Sequence, residues 1–306
     1  MKKFFSILLT IIITLSFAAC GSSGENESDN RLSVVATIFP YYDFAKNIAG
    51  DNARVDILIP AGTDIHSFEP TAQDIAKIQN CDIFIYNGGE SDTWVENIIN
   101  SLDQENLPTI MKMTDYVEPI LEQDAEQNQG DEMDEHIWIS PRNASNLMGH
   151  IMSQMQKLDA KNSQQYKDNY SAYTQEMYSI SQSIESIVSS ANKRKIIVGD
   201  RFPLIYFTSQ YAIDWECAFP GCSSETEPSL DKLSSLEKII KDEKYKAIIK
   251  LANSGNNVAE TLAEDTGVKV VTFYDYENVS KKSIDAGETY NTLLAKNSVA
   301  IKEALS

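Results

Sequence analysis

From Leu32 to Gly89 the chain alternates strand-like and helix-like runs, and this alternation restricts the possible folds more than any other feature. Ser33–Ile38, Ser-Val-Val-Ala-Thr-Ile, reads as a buried-type strand. Tyr41–Ile48 has helical spacing and stops before Gly50; Val55–Pro60 reads as a strand. Thr71–Gln79 reads as a helix, Asp82–Tyr86 as a strand, and a further helix runs from Ser91 or Asp92 through Ile99. Parallel strands need such crossovers, and their ligand loops lie at the carboxyl ends. A second block repeats the pattern, with strands predicted over Lys195–Gly199, Ala247–Leu251 and Val268–Tyr274, helix-like runs in the gaps, and a closing helix over Ile284–Leu305. Between the blocks, Pro141–Ala191 carries no further proline and reads as two helices, the second running from about Asn162 to Ser190. The expected fold is α/β: two lobes with central, mainly parallel sheets, joined by one long helix.

The N-terminus reads as a targeting segment. Lys2 and Lys3 precede an apolar stretch, and Phe17-Ala18-Ala19 leads into Cys20. The apolar run is about 15 residues, short for a membrane span. The pattern is that of a lipoprotein signal peptide over residues 1–20, with lipid on Cys20 anchoring the mature protein. Residues 21–31, rich in Gly, Ser, Glu and Asn, read as a flexible tether. The chain carries 26 basic and 45 acidic residues, net −19, and loss of residues 1–19 removes two lysines and no acid, giving −21. No basic patch offers a surface to nucleic acid. With Cys20 lipidated, Cys81, Cys217 and Cys222 remain, an odd number that fits no disulfide framework. Cys217 and Cys222 could pair, and Cys81 reads as a buried thiol. Residues 122–135, EQDAEQNQGDEMDE, read as a disordered acidic loop.

Only three histidines occur, and two of them, His66 and His136, stand in matching strand-to-helix turns. Local pattern alone favours a surface-loop residue for His66 over a ligand. The longer motifs go further. TDIHSFEPTAQDIAKI, with Ile65 in place of the usual proline, and DEHIWISPRNA, with Glu135 where many relatives have proline, resemble the two first-lobe ligand motifs of the zinc/manganese ABC-importer solute-binding lipoproteins. The resemblance extends from about Leu32 to Leu305. It implies a metal-binding lobe over 32–145, connecting helices over 146–191 that form a rigid link, and a second lobe over 192–306. It makes His66 and His136 metal ligands. His150, mid-helix, reads as a packing residue, Trp138 and Trp94 as core, and Asp92 as a helix cap.

The second lobe departs from the family pattern. Five residues before Tyr206-Phe207, where many relatives place a histidine or glutamate, stands Arg201, which has no lone pair to offer. The late aspartate position falls near Tyr274, so Glu277, then Asp275, then Glu225 are the candidate second-lobe ligands, with Asp200 behind them. Two imidazoles with carboxylates suit Zn2+, and Mn2+ is the alternative cargo. The resemblance implies capture of the ion outside the cell membrane and delivery to an ABC permease, by a monomer. Two competing readings are an anionic small molecule or metal chelate held at Arg201, and a metallohydrolase, for which no HExxH or nucleophile elbow is present. A surface adhesin is compatible with the binding role.

Overall fold

The computed structural model describes residues 30–63, 65–123, 129–219, 228–277 and 279–306. Strands β1 (Leu32–Ala36), β2 (Ala53–Ile57), β3 (Ile83–Tyr86) and β4 (Thr109–Lys112) form the first sheet in the order β2-β1-β3-β4, all parallel. The central strands β1 and β3 are buried at every residue, as a sheet covered on both faces requires. In the edge strand β2, exposed Arg54 and Asp56 alternate with buried Ala53 and half-buried Val55 and Ile57. It starts two residues before the predicted Val55, and the ladder continues past it, with Leu58 N and Ile59 N donating to Ala36 and Thr37 carbonyls at 2.8 and 3.1 Å. β4 was not foreseen in the sequence.

The first three helices of this lobe start in different ways, and only the second opens on a side-chain cap. α1 (Phe39–Ala49) has Pro40 in its first turn and buries Tyr41, Phe44, Ala45 and Ile48. α2 (Ala72–Gln79) opens on a reciprocal capping box between Thr71 and Asp74. α3 (Thr93–Ser101) follows a single 3-10 turn, Glu90–Asp92. Asp92 does not cap it: the carboxylate turns back and accepts from Asn87 N at 2.7 Å and Gly88 N at 3.0 Å. Burial pushes this carboxyl up to about 6.

Of the acidic stretch 122–135, residues 124–128 lie outside the described residues, and its two ends pair as strands. β5 (Leu121–Gln123) and β6 (Gln129–Met133) pair antiparallel, Leu121 opposite Met133. Apolar residues close the base of this ribbon, and Ile120 pins it, accepting from Asp134 N and donating to the Tyr206 hydroxyl, both at 2.9 Å. Main-chain pairing does not depend on side-chain apolarity, so strand ends can form in a stretch of this composition.

α4 (Pro141–Leu158) and α5 (Ser163–Ser190) match the two predicted helices. α5, 28 residues and about 42 Å long, presents Tyr166, Tyr170, Tyr173, Met177, Ile180, Ile184 and Ile187 at three- and four-residue spacing. The second sheet contains β7 (Lys195–Val198), β8 (Asp214–Cys217), β9 (Ala247–Leu251) and β10 (Lys269–Phe273), ordered β10-β9-β7-β8 and parallel. β8 lies in a gap expected to be helical. Helices α6 (Ile205–Tyr211), α7 (Leu230–Asp242), α8 (Val258–Thr266), α9 (Lys281–Asp285) and α10 (Tyr290–Ala304) complete the lobe. The predicted closing helix is therefore two helices, broken around Gly287, whose φ is +83°.

Leu32–Ser306 form one compact unit. A single apolar cluster runs from the first sheet through α1, α4, α5 and α10 into the second. Its largest fully buried members include Trp138, Tyr41, Tyr166, Tyr276 and Tyr290. Cys81 is buried, its thiol pushed up to about 12 by burial. Cys217 is buried at the end of β8; Cys222, its possible partner, and Cys20 lie outside the described residues. Among the described residues no helix is long and apolar enough to cross a membrane.

Candidate metal centre

His66 and Glu277 lie in the loops that follow the parallel strands β2 and β10, and Arg201 in the loop after β7, at the carboxyl ends where ligands of such sheets bind, whereas His136 follows β6 of the antiparallel ribbon. His66 sits in a 3-10 turn, Ile65–Ser67, anchored by buried Ile65 and leaving the imidazole 28% exposed. His136 immediately precedes another 3-10 turn, Ile137–Ile139, whose three side chains are fully buried and fix its position. The His136 ring is buried, with Nδ1 3.1 Å from Asp134 Oδ1. Asp134 Oδ1 also accepts from His136 N at 2.9 Å. With Nδ1 directed at Asp134, Nε2 is the nitrogen that faces the centre.

Glu277 arrives from the second lobe through a strained turn. Tyr276, between Asp275 and Glu277, has φ of +67°, a left-handed conformation uncommon for a bulky residue. Its ring stacks on Tyr290 at 4.2 Å, and its hydroxyl accepts from Asn297 Nδ2 at 3.2 Å, which offsets the strain. The turn delivers a buried carboxylate: Glu277 Oε1 lies 3.6 Å from His66 Nε2, and Oε2 lies 3.8 Å from His136 Nε2. Ligands 2.0–2.1 Å from a tetrahedral ion stand about 3.4 Å from one another, so both separations are those of a metal shell relaxed by a few tenths of an ångström.

The remaining candidates fall around these three. Asp275 is buried; its Oδ1 accepts from Glu277 N at 3.2 Å, and the described residues offer Oδ2 no hydrogen bond. Burial, then the neighbouring Glu277 carboxylate, pushes the Asp275 carboxyl well above the usual carboxylate range, and Arg201 opposes the rise. Arg201 brings a guanidinium nitrogen to 3.8 Å from Glu277 Oε2, so it is a charge partner in the site. Asp200 is a structural residue: buried, it accepts from Arg201 N, Leu251 N and Asn256 Nδ2 at 2.9, 3.2 and 2.6 Å. Glu225 lies outside the described residues. His150 stacks on Tyr116 at 4.1 Å, a packing role. Trp138 is core, with Nε1 donating to Asp275 O at 2.9 Å.

Comparison with known proteins shows the family. The family model described as the periplasmic zinc-uptake complex component A matches residues 34–304. The chain belongs to this family. It is 30% identical to the high-affinity zinc uptake system protein ZnuA of Bacillus subtilis, over 99% of this chain and 98% of that protein. It is 32% identical to the zinc-binding lipoprotein AdcA of Streptococcus pneumoniae over 99% of its own length, and spans 61% of that longer relative. The solved structure of the metal-dependent lipoprotein YcdH of Bacillus subtilis is similar at TM-score 0.78 and 29% identity, covering 90% of this chain and 99% of that one. The Zn(II)-bound ZnuA-like domain of AdcA gives 0.75 at 29% identity, with the same coverage. The two-lobed α/β fold with a long connecting helix is the family's.

One carboxylate at the centre was missed in the sequence. His66, Glu135 and His136 each offer a ligand atom within 4.8 Å of the others. Glu135 is buried, and its Oε1 is 3.6 Å from His66 Nδ1. The available signal was its position, beside His136 and in place of the family's common proline. Its place at the end of an acidic run disguised it.

Proposed function

We propose that this chain is the extracytoplasmic solute-binding component of an ABC importer, and that it captures Zn2+ between His66, His136 and Glu277 for delivery to a membrane permease. The observation that carries the proposal is the Glu277 carboxylate, buried and 3.6 and 3.8 Å from the Nε2 atoms of the two histidines. Three protein donors of nitrogen and oxygen type suit zinc, and the Irving–Williams order favours zinc over manganese in such a site. The zinc uptake and zinc-binding names of the relatives point the same way. Asp275 supplies negative charge beside the ion, and Glu225 remains a candidate fourth donor. Manganese is the alternative cargo. An anionic ligand at Arg201 is disfavoured, because that guanidinium already faces Glu277. The role is binding and delivery, not catalysis. The mature protein is a monomer held at the membrane by lipid on Cys20, with residues 32–145 and 192–306 as the two lobes around the ion.

A chelator-competition titration of the metal-free mature chain tests this. The expected result is one ion per chain, zinc held more tightly than manganese, and tight binding lost in both His66→Ala and His136→Ala while circular dichroism is unchanged. Tight, stoichiometric zinc binding retained in both variants would refute the assigned site.

A further inference from the structure

We propose that Glu135 is a positioning residue for His66, so that the consecutive carboxylates Asp134 and Glu135 orient the two ligand histidines, one ring each. This rests on the reading of His66 and His136 as ligands. The His66 ring faces a carboxylate at each nitrogen, Glu135 Oε1 at Nδ1 and Glu277 Oε1 at Nε2, both at 3.6 Å. One imidazole cannot direct both nitrogens at the same ion. His136 resolves which nitrogen serves: its Nδ1 is held by Asp134 at 3.1 Å, and its Nε2 looks toward Glu277. The same assignment for His66 puts Nε2 on the ion and leaves Nδ1–H for Glu135. Metal-bound histidines commonly donate their second N–H to such an outer carboxylate, which sets tautomer and ring orientation.

The position of Glu135 is built, not incidental. Its Oε2 accepts from Ser91 N at 3.1 Å and from Ser91 Oγ at 2.6 Å. Its carbonyl accepts from Asn87 Nδ2 at 2.9 Å. Gly89, with φ of +121°, leaves the room it occupies: a Cβ there would meet Glu135 Oε2 at 2.6 Å and its Cβ at 2.8 Å. With Oε2 engaged by Ser91, Oε1 is the oxygen left to His66. The loop after β3 thus holds the His66 ring through Glu135.

The test uses the full mature chain with histidine labelled in 15N, metal-free and zinc-loaded. It compares wild type with Glu135→Gln, Glu135→Ala, Ser91→Ala and His66→Ala. The expected zinc-loaded wild type has His66 bound through Nε2 with its proton on Nδ1. Zinc affinity falls about 10–100-fold in Glu135→Ala. Glu135→Gln recovers part of the loss, because an amide oxygen still accepts from Nδ1–H. Ser91→Ala, which loosens Glu135 without removing it, gives a smaller loss. X-ray absorption shows the same number of protein ligands in wild type and Glu135→Gln. Coordination of His66 through Nδ1 would overturn the proposal, and loss of an oxygen ligand in Glu135→Gln would make Glu135 a ligand and overturn it too. Affinity within twofold of wild type in both Glu135→Ala and Ser91→Ala would also overturn it. If wild type binds zinc and His66→Ala does not, such a result sinks this inference alone; a wild type without stoichiometric zinc binding sinks both readings.

Discussion

At the scale of single residues, Glu277 and Asp275 show how two adjacent acids take different roles. The left-handed turn at Tyr276 separates them, sending Glu277 toward both histidines while Asp275 is tied to Glu277 N. Glu277 is predicted to matter more. In a competition titration, Glu277→Ala should weaken zinc binding by more than the roughly 10–100-fold expected of an outer partner, and Asp275→Ala by less. Equal, negligible losses would move the second-lobe donor elsewhere, with Glu225 next. His66 and His136 were legible in the sequence because histidine is rare in this chain and both stand in specific motifs. Glu135 was not. Its role depends on Ser91, 44 positions earlier, and on the open space at Gly89. Asp92 was misread for the same reason: a good capping residue before a helix binds the preceding loop instead.

At the scale of elements, Asp43 joins three helices. On α1, it accepts from the Tyr173 hydroxyl of α5 and from Tyr290 N at the start of α10, the latter at 3.1 Å. Burial outweighs these bonds and pushes the carboxyl up to about 6. The folded protein therefore keeps a proton that the unfolded chain releases near 3.9. Stability contributed by this group is full below about pH 4, is lost as pH rises to about 6, and stays lost above that. Asp43→Asn should remove the dependence. Urea midpoints between pH 4 and 7 should show wild type declining relative to the variant by about 2–3 kcal/mol. Parallel curves would contradict it, and Asp92, which shares the window, is common to both proteins. The buried strands and amphipathic helices were legible because periodicity records burial. β8 was missed although Ile213, Trp215 and Cys217 alternate with polar residues as in a half-buried strand, while β5 and β6, LEQ and QGDEM, have too few apolar residues to signal their pairing with each other.

At the scale of the whole molecule, the candidate ion site lies among hydrogen bonds that cross between residues 32–145 and 192–306. Trp138 Nε1 donates to Asp275 O, the Tyr290 hydroxyl donates to Trp138 O, and Ile120 N donates to the Tyr206 hydroxyl, each at 2.9 Å. α5 adds Asn169 Nδ2 to Ile48 O at 2.9 Å. Alternating strands and helices announced both sheets, but only the three-dimensional arrangement brings Glu277 within reach of residues 141 and 211 positions earlier. Anomalous diffraction at the zinc edge, from crystals of the zinc-loaded chain, reads the central claim directly. The predicted result is one strong peak bounded by His66 Nε2, His136 Nε2 and the Glu277 carboxylate. A peak elsewhere, or none between those three groups at full zinc loading, would contradict it.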